Sequence, residues 1–240
     1  MWARITPAFA TTHRQVVFDY VGSGQSDMAA FNTTRYATLS GYVQDLLDVC
    51  DALGLEQGVT LVGHSVSGTI GLLAAIERPG LFTQQVMVGP TPCFLNAPPD
   101  YQGGFERQDL EDLLRLMDQN YMGWASHLGG LVSGLQPGDP VASQLTDSFC
   151  STDPVAARVF ANATFFADNR PDLARMPVPS LLLQHLHDVL VPVHVGEYMA
   201  RHMPASTLQV LDVKGHSAHM SHPQLVIDAM RAYFARPTRQ

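Results

Sequence analysis

Short apolar, β-branched runs bounded by turn residues alternate along this chain with helical patterns. That alternation restricts it to the α/β class, with strands joined by crossover helices in a mostly parallel sheet. The runs predict strands at Gln15–Asp19, Thr60–Gly63, Gln85–Gly89, Ser180–Gln184 and Thr207–Asp212. Their near-continuous apolar character suits strands covered on both faces. Between the first two, Thr38 can cap a helix carrying Val43, Leu46, Leu47, Cys50 and Leu53 on one face, with Gly54 placed to end it. A second helix follows Ser65 and must stop before Pro79. A last one starts near Pro223 and buries Val226, Met230, Tyr233 and Phe234.

The stretch from Pro90 to Pro179 breaks this pattern, and about 90 residues is too long for a plain connection within one compact unit. Helical periodicity runs through Leu110 to Met117, Tyr121 to Leu131, Val141 to Phe149 and Pro154 to Phe166. Four short helices inserted over the carboxyl edge of the sheet would form a lid. The expected organisation is a core built from residues 1–89 and 180–240, with a helical lid at 90–179.

Composition narrows the partners. Apolar residues make up 46% and charged residues 15%, enough for a core and too little charge for a disordered chain. The net charge of −8, with no run of Lys or Arg, argues against nucleic acid and against anionic membrane surfaces. The 3 cysteines, Cys50, Cys93 and Cys150, match neither a zinc knuckle nor a CxxC pair and read as free thiols in a reducing compartment. The opening residues lack a signal-peptide pattern and no apolar run could span a bilayer, so a cytoplasmic location is expected.

The chemistry concentrates in three loops. Val59-Thr-Leu-Val-Gly-His-Ser-Val-Ser-Gly68 places Ser65 on a strand-to-helix turn among small residues, the nucleophile elbow, in which a strained turn exposes a serine oxygen. The usual motif ends in glycine where this chain has Ser67. A nucleophilic serine needs a base and the base an orienting carboxylate. Asp188 lies just past the strand at Ser180–Gln184, and His216 follows Gly215 just past the strand at Thr207–Asp212. The order Ser, Asp, His is that of the α/β-hydrolase fold.

His219 and His222 compete with His216 for the role of base, but Gly215 gives His216 the tight loop and the earliest position after the strand. Asp212 competes with Asp188 and reads as a surface or capping residue. His185, His187 and His194 could suggest a metal cluster, yet a partly exposed loop is the expectation, with no metal and no cofactor. Asp19-Tyr-Val-Gly-Ser-Gly24 lacks the third glycine and the distant acidic residue of a dinucleotide loop, and reads as a turn. Of the lid aromatics, Phe94, Trp124, Phe149 and Phe166 are the expected lining of a site for a small hydrophobic ligand.

Phe18-Asp-Tyr-Val-Gly-Ser-Gly, Gly63-His-Ser-Val, Met87-Val-Gly-Pro-Thr-Pro-Cys-Phe-Leu-Asn, Tyr101-Gln-Gly-Gly-Phe, Asn120-Tyr-Met-Gly-Trp, Phe149-Cys-Ser-Thr-Asp-Pro and Gly215-His-Ser-Ala-His-Met-Ser-His-Pro together resemble the RsbQ-like α/β hydrolases. These act in energy-stress activation of the alternative sigma factor B and are similar to the plant strigolactone and karrikin receptors. The resemblance implies a triad of Ser65, Asp188 and His216, a four-helix lid, and a small hydrophobic ligand whose binding or hydrolysis alters lid shape. It also implies a protein partner, a PAS-containing serine phosphatase. Members of the family begin with further strands and a loop whose amide completes the oxyanion hole with that of Val66. Met1 corresponds to a point beyond that loop, so the N-terminal strands are expected to be missing and Val66 is the oxyanion donor to be sought.

Overall fold

A computed structural model describes residues 1–136 and 138–236. Its sheet has four parallel strands in sequential order: β1 (Val59–His64), β2 (Phe82–Val88), β3 (Ser180–His187) and β4 (Ser206–Lys214). Helices α1 (Leu39–Ala52) and α2 (Val66–Glu77) flank β1 in the chain, α7 (Val193–His202) joins β3 to β4, and α8 (Ala218–Ser221) and α9 (Pro223–Phe234) follow β4.

Side chains alternate across the pleat, so successive residues of one strand serve two different cores. Leu61, Met87 and Leu182 face α1, α2 and α7, meeting Tyr42, Leu47, Ile70 and Met199. Val86, Val88, Leu181, Leu183 and Val213 face the other way onto Val226, Ile227 and Met230 of α9, and onto Ile5 and Phe9 near the amino terminus. Both faces are covered, which is why these strands read as unbroken apolar runs.

The strand expected at Gln15–Asp19 does not form. The segment is without regular structure, with Val17 59% exposed and Phe18 36% exposed. A strand exists only through a hydrogen-bonded neighbour. Among the described residues β1 pairs only with β2, so no ladder reaches residues 15–19. The other four predicted strands are present, each extended by one to three residues at one end or both, except that β2 begins three earlier and stops one residue short of Gly89.

Between β2 and β3 lie four helices: α3 (Arg107–Gln119), α4 (Tyr121–Ser133), α5 (Pro140–Cys150) and α6 (Pro154–Phe165). Their starts are written locally. Glu106 and Asp109 form a reciprocal capping box on α3, Asn120 accepts from Gly123 N on α4, and Asp139 and Asp153 cap α5 and α6 ahead of prolines in the first turn. Leu114, Met117, Trp124, Leu128, Val132, Leu145 and Ala161 give the four helices a core of their own, which also takes in Met220 from α8.

Two glycines weld this insertion to the end of β4. A Cβ on Gly215 would lie 2.4 Å from Ser133 O, and one on Gly134 would lie 2.6 Å from Gly215 N, both at positive φ. Gly215→Ala is therefore expected to lower unfolding free energy by about 2–4 kcal/mol, combining left-handed strain with backbone overlap. Gly58→Ala, at φ +75 in open space, should lose only about 1 kcal/mol. Urea midpoints of the two variants check the contrast; equal losses would mean that the α4 contact yields without cost.

Candidate active site

Ser65 caps α2 at φ 53, ψ −127, and among the described residues it is the one non-glycine with positive φ. Strain of this kind persists only when neighbours over-determine it. Here Ser65 N donates to Val88 O at 2.8 Å, and Ser65 O accepts from Gly68 N at 2.9 Å. Gly63 admits the turn, since a Cβ there would lie 2.5 Å from the Ser67 carbonyl carbon. Ser67, the departure from the usual glycine, is held by Tyr20, whose hydroxyl donates to Ser67 Oγ at 3.0 Å. Burial pushes the Tyr20 phenol up to about 12, so it stays a donor. The segment that supplies Tyr20 is a turn, as expected: Asp19 Oδ2 accepts from Gln25 N, and Gly22 and Gly24 take positive φ.

Asp188 follows β3 with its side chain fully enclosed. Oδ1 accepts from Leu190 N at 2.8 Å and Val191 N at 3.1 Å. Oδ2 accepts from His216 Nδ1 at 2.7 Å and from His185 Nδ1 at 3.2 Å. Burial by itself would raise this carboxyl, but the donors from His185, His216 and Leu190 outweigh it and hold Asp188 well below the usual carboxylate range. An ionised carboxylate only accepts, so both Nδ1 atoms carry protons, and the second ring nitrogen of His216 is Nε2. That Nε2 is buried and has no hydrogen-bond partner among the described residues, Ser65 Oγ included; contacts of this type often tighten only when substrate is bound.

The His216 backbone is fixed from two sides. Its N–H donates to Val132 O at the end of α4 at 2.7 Å, and its carbonyl accepts from His64 Nε2 at 2.9 Å. Gly89, at φ +58 just past β2, makes room for the rings: a Cβ there would stand 3.1 Å from His185 Cε1 and 3.2 Å from His216 Cε1.

The rivals separate cleanly. Asp212 is an exposed residue 3.6 Å from exposed His187, and His222 is exposed against Ser221. His219 is fully buried, 4.4 Å from the His64 ring and 4.7 Å from that of Trp2, and neither of its nitrogens has a partner among the described residues. His194 donates to Gln102 O from the surface, so His185, His187 and His194 do not converge. Among the described residues the group whose ligand atoms do gather, within 4.8 Å, is His185, Asp188 and His216, and these atoms are hydrogen-bonded through Asp188 Oδ2.

Val66 is the first residue of α2, where backbone amides have no intrahelical partner. With Phe94 it borders a water-sized cavity of about 10 Å³. The four aromatics fall in two adjoining clusters. Trp124 packs on Tyr121 and edge-on to Phe149, Phe94 stands edge-on to Phe165, and Phe166 belongs to both clusters beneath Arg107. Leu190, next to the Asp188 loop, joins both clusters.

A strained serine on a strand-to-helix turn, with a buried histidine–aspartate pair after later parallel strands, defines a serine hydrolase of the α/β type. A family model for the alpha/beta hydrolase fold matches residues 1–223, and the chain belongs to that family. It is 34% identical over 236 residues to the strigolactone esterase D14 of Arabidopsis thaliana, covering 98% of this chain and 87% of the relative. It is 32% identical over 231 residues to the karrikin insensitive 2 receptor IA of Petunia hybrida, covering 96% and 84%. Among solved structures, the hydrolase olei00960 from Oleispira antarctica superposes with a TM-score of 0.94 at 41% identity, covering 98% of this chain and 86% of that one. No helix among the described residues is long and apolar enough to cross a membrane.

Sequence reasoning did not find the parts played by His185, His64 and Tyr20. The position of His185, three residues before Asp188 at an inward site of β3, was the available signal for the first.

Burial holds His219 down to about 3 and lowers His64 well below its ordinary value, so the folded protein keeps both neutral while the unfolded chain takes up protons near pH 6.5. Stability conferred by these groups is complete above about pH 6.5 and is lost as pH falls toward the folded values, by about 1.4 kcal/mol per pH unit for each proton. His219→Phe should flatten the decline in urea midpoint between about pH 6 and pH 4. An unchanged slope would show that His219 is already protonated in the fold.

Proposed function

We propose that the protein hydrolyses a small hydrophobic ester or lactone through an acyl-enzyme on Ser65. The observation that carries this reading is the serine at φ 53, ψ −127 together with the 2.7 Å bond from His216 Nδ1 to Asp188. In the proposed reaction Ser65 Oγ attacks the carbonyl carbon as its proton passes to His216 Nε2. Asp188 stabilises the imidazolium without taking its proton. The Val66 amide, at the positive end of α2, donates to the oxyanion. Collapse expels the alcohol with the proton from His216, and water then releases the acid by the same steps in reverse order.

Phe94, Trp124, Phe149 and Phe166 would line the ligand site, an apolar wall that favours a small hydrophobic acyl or lactone group over a sugar or peptide. The helical insertion would serve as the lid, reporting ligand state to a partner through α4, whose Val132 carbonyl bonds the His216 backbone. The resemblance to the RsbQ-like hydrolases supports a PAS-containing serine phosphatase as that partner and a positive regulatory role in a stress sigma-factor pathway. A strigolactone esterase and a karrikin insensitive 2 receptor among the plant relatives are compatible with chemistry that serves a signal.

Ser65→Ala should abolish covalent labelling by a serine-directed phosphonate and reduce turnover of a chromogenic ester by about 1,000-fold or more. His216→Ala should lose activity to a similar extent, whereas His222→Ala should leave it nearly unchanged. Persistent labelling of Ser65→Ala, seen by intact mass, would move the nucleophile elsewhere.

Trp124→Ala should weaken binding of a hydrophobic ligand by about 1–3 kcal/mol, read by calorimetry, while Ser65 labelling persists. Unchanged affinity would confine Trp124 to the packing of the inserted helices. For the partner, a purified PAS-containing phosphatase is expected to be retained by the immobilised protein and stimulated by it. No retention with or without ligand would leave a metabolic esterase.

A further inference from the structure

We infer that His185 is a positioning residue of the hydrolytic site: it shares Asp188 Oδ2 with His216 and so sets the pH range over which His216 can serve as base. The inference rests on the reading of Ser65, His216 and Asp188 given above.

The carboxylate has four donors and each oxygen takes two. Oδ1 is fixed by the amides of Leu190 and Val191, which hold the plane of the group. Oδ2 receives two imidazoles, from His216 at 2.7 Å and from His185 at 3.2 Å. His185 is fully buried on β3, and Gly89 carries no side chain to crowd the two rings. A triad aspartate needs only one histidine; the second donor draws on the same negative charge that must stabilise the imidazolium at His216. Sharing therefore weakens the hold of Asp188 on that cation and lowers the pH at which His216 loses its proton.

The other groups around His216 do not blur this effect. His64 of β1 lies 4.8 Å away ring to ring and donates to the His216 carbonyl. His219 of α8 lies 4.4 Å from the His64 ring, and from α4 the Val132 carbonyl meets the His216 backbone. Burial keeps His64, His219 and His185 all below their ordinary range, so none of the three gains a charge near neutrality.

The test compares His185→Leu, which removes the donor at similar volume, with His185→Asn, whose amide N–H can replace Nδ1–H. The readout is kcat/KM for a chromogenic ester from about pH 5 to pH 9. His185→Leu should move the acid limb up by about 0.5–1 pH unit, the equivalent of one hydrogen bond, while His185→Asn should stay near wild type. An unmoved limb in His185→Leu, or identical limbs in the two variants, overturns the proposal. Proton NMR of the 15N-histidine-labelled wild type covers the case in which the leucine variant does not fold. Two low-field Nδ1–H resonances are expected, both surviving in Ser65→Ala, and a single one overturns the sharing. Full activity in Ser65→Ala would instead remove the nucleophile reading while leaving the two resonances in place, so the two failures are distinguishable.

Discussion

A carboxylate taken out of water must recover its solvation from fixed donors, because an unpaired buried charge costs more than a domain of this size can spare. Asp188 meets that demand with backbone amides of its own loop on one oxygen and two imidazoles on the other. One imidazole rides on β3 and the other on the loop after β4, so satisfying the charge joins the carboxyl ends of two neighbouring strands. The joint also reaches β1, because His64 donates to the carbonyl of the same His216. The positions of the reactive loops thus follow from the solvation of one buried group.

The serine is presented by a different device. Its backbone occupies a region closed to most residues with a side chain, and the turn is held by bonds to Val88 and Gly68 and by the absence of a side chain at Gly63. Ser67 replaces the glycine expected in such turns without loss of geometry, since its hydroxyl finds Tyr20. Strain here is supported by packing on both sides of the sheet: α2 buries Ile70 and Leu72 against one face, and α9 closes the other.

The inserted helices are tied to the loop that carries His216. They have a core of their own, yet their C-terminal α4 carbonyl bonds the His216 backbone, and Gly134 and Gly215 meet with no room for a side chain on either. The end of α4 and the His216 backbone are therefore held in one fixed register. Met220, in the insertion's core, and Leu190, packed against it, extend the same contact to the segments beyond β4 and β3.

The sequence by itself determined the four paired strands, helices α1, α2 and α9 and the four inserted helices, because these depend on local signals; α7 and α8 were not read from it. Such signals include the apolar runs of β1 to β4, the caps Asn120, Asp139 and Asp153, and the prolines that open α5, α6 and α9. It also marked Ser65, Asp188 and His216, since a tight turn and a loop after a strand leave a pattern in a few consecutive residues. It misjudged Gln15–Asp19, whose apolar alternation is real but whose pairing partner is a property of the sheet and not of the segment. Only the tertiary structure decided that His185 turns inward onto the triad carboxylate while His187, two residues on, points to solvent with Asp212. A histidine's spelling is the same in both places; which one meets a buried charge is settled by strands and loops far apart in the chain.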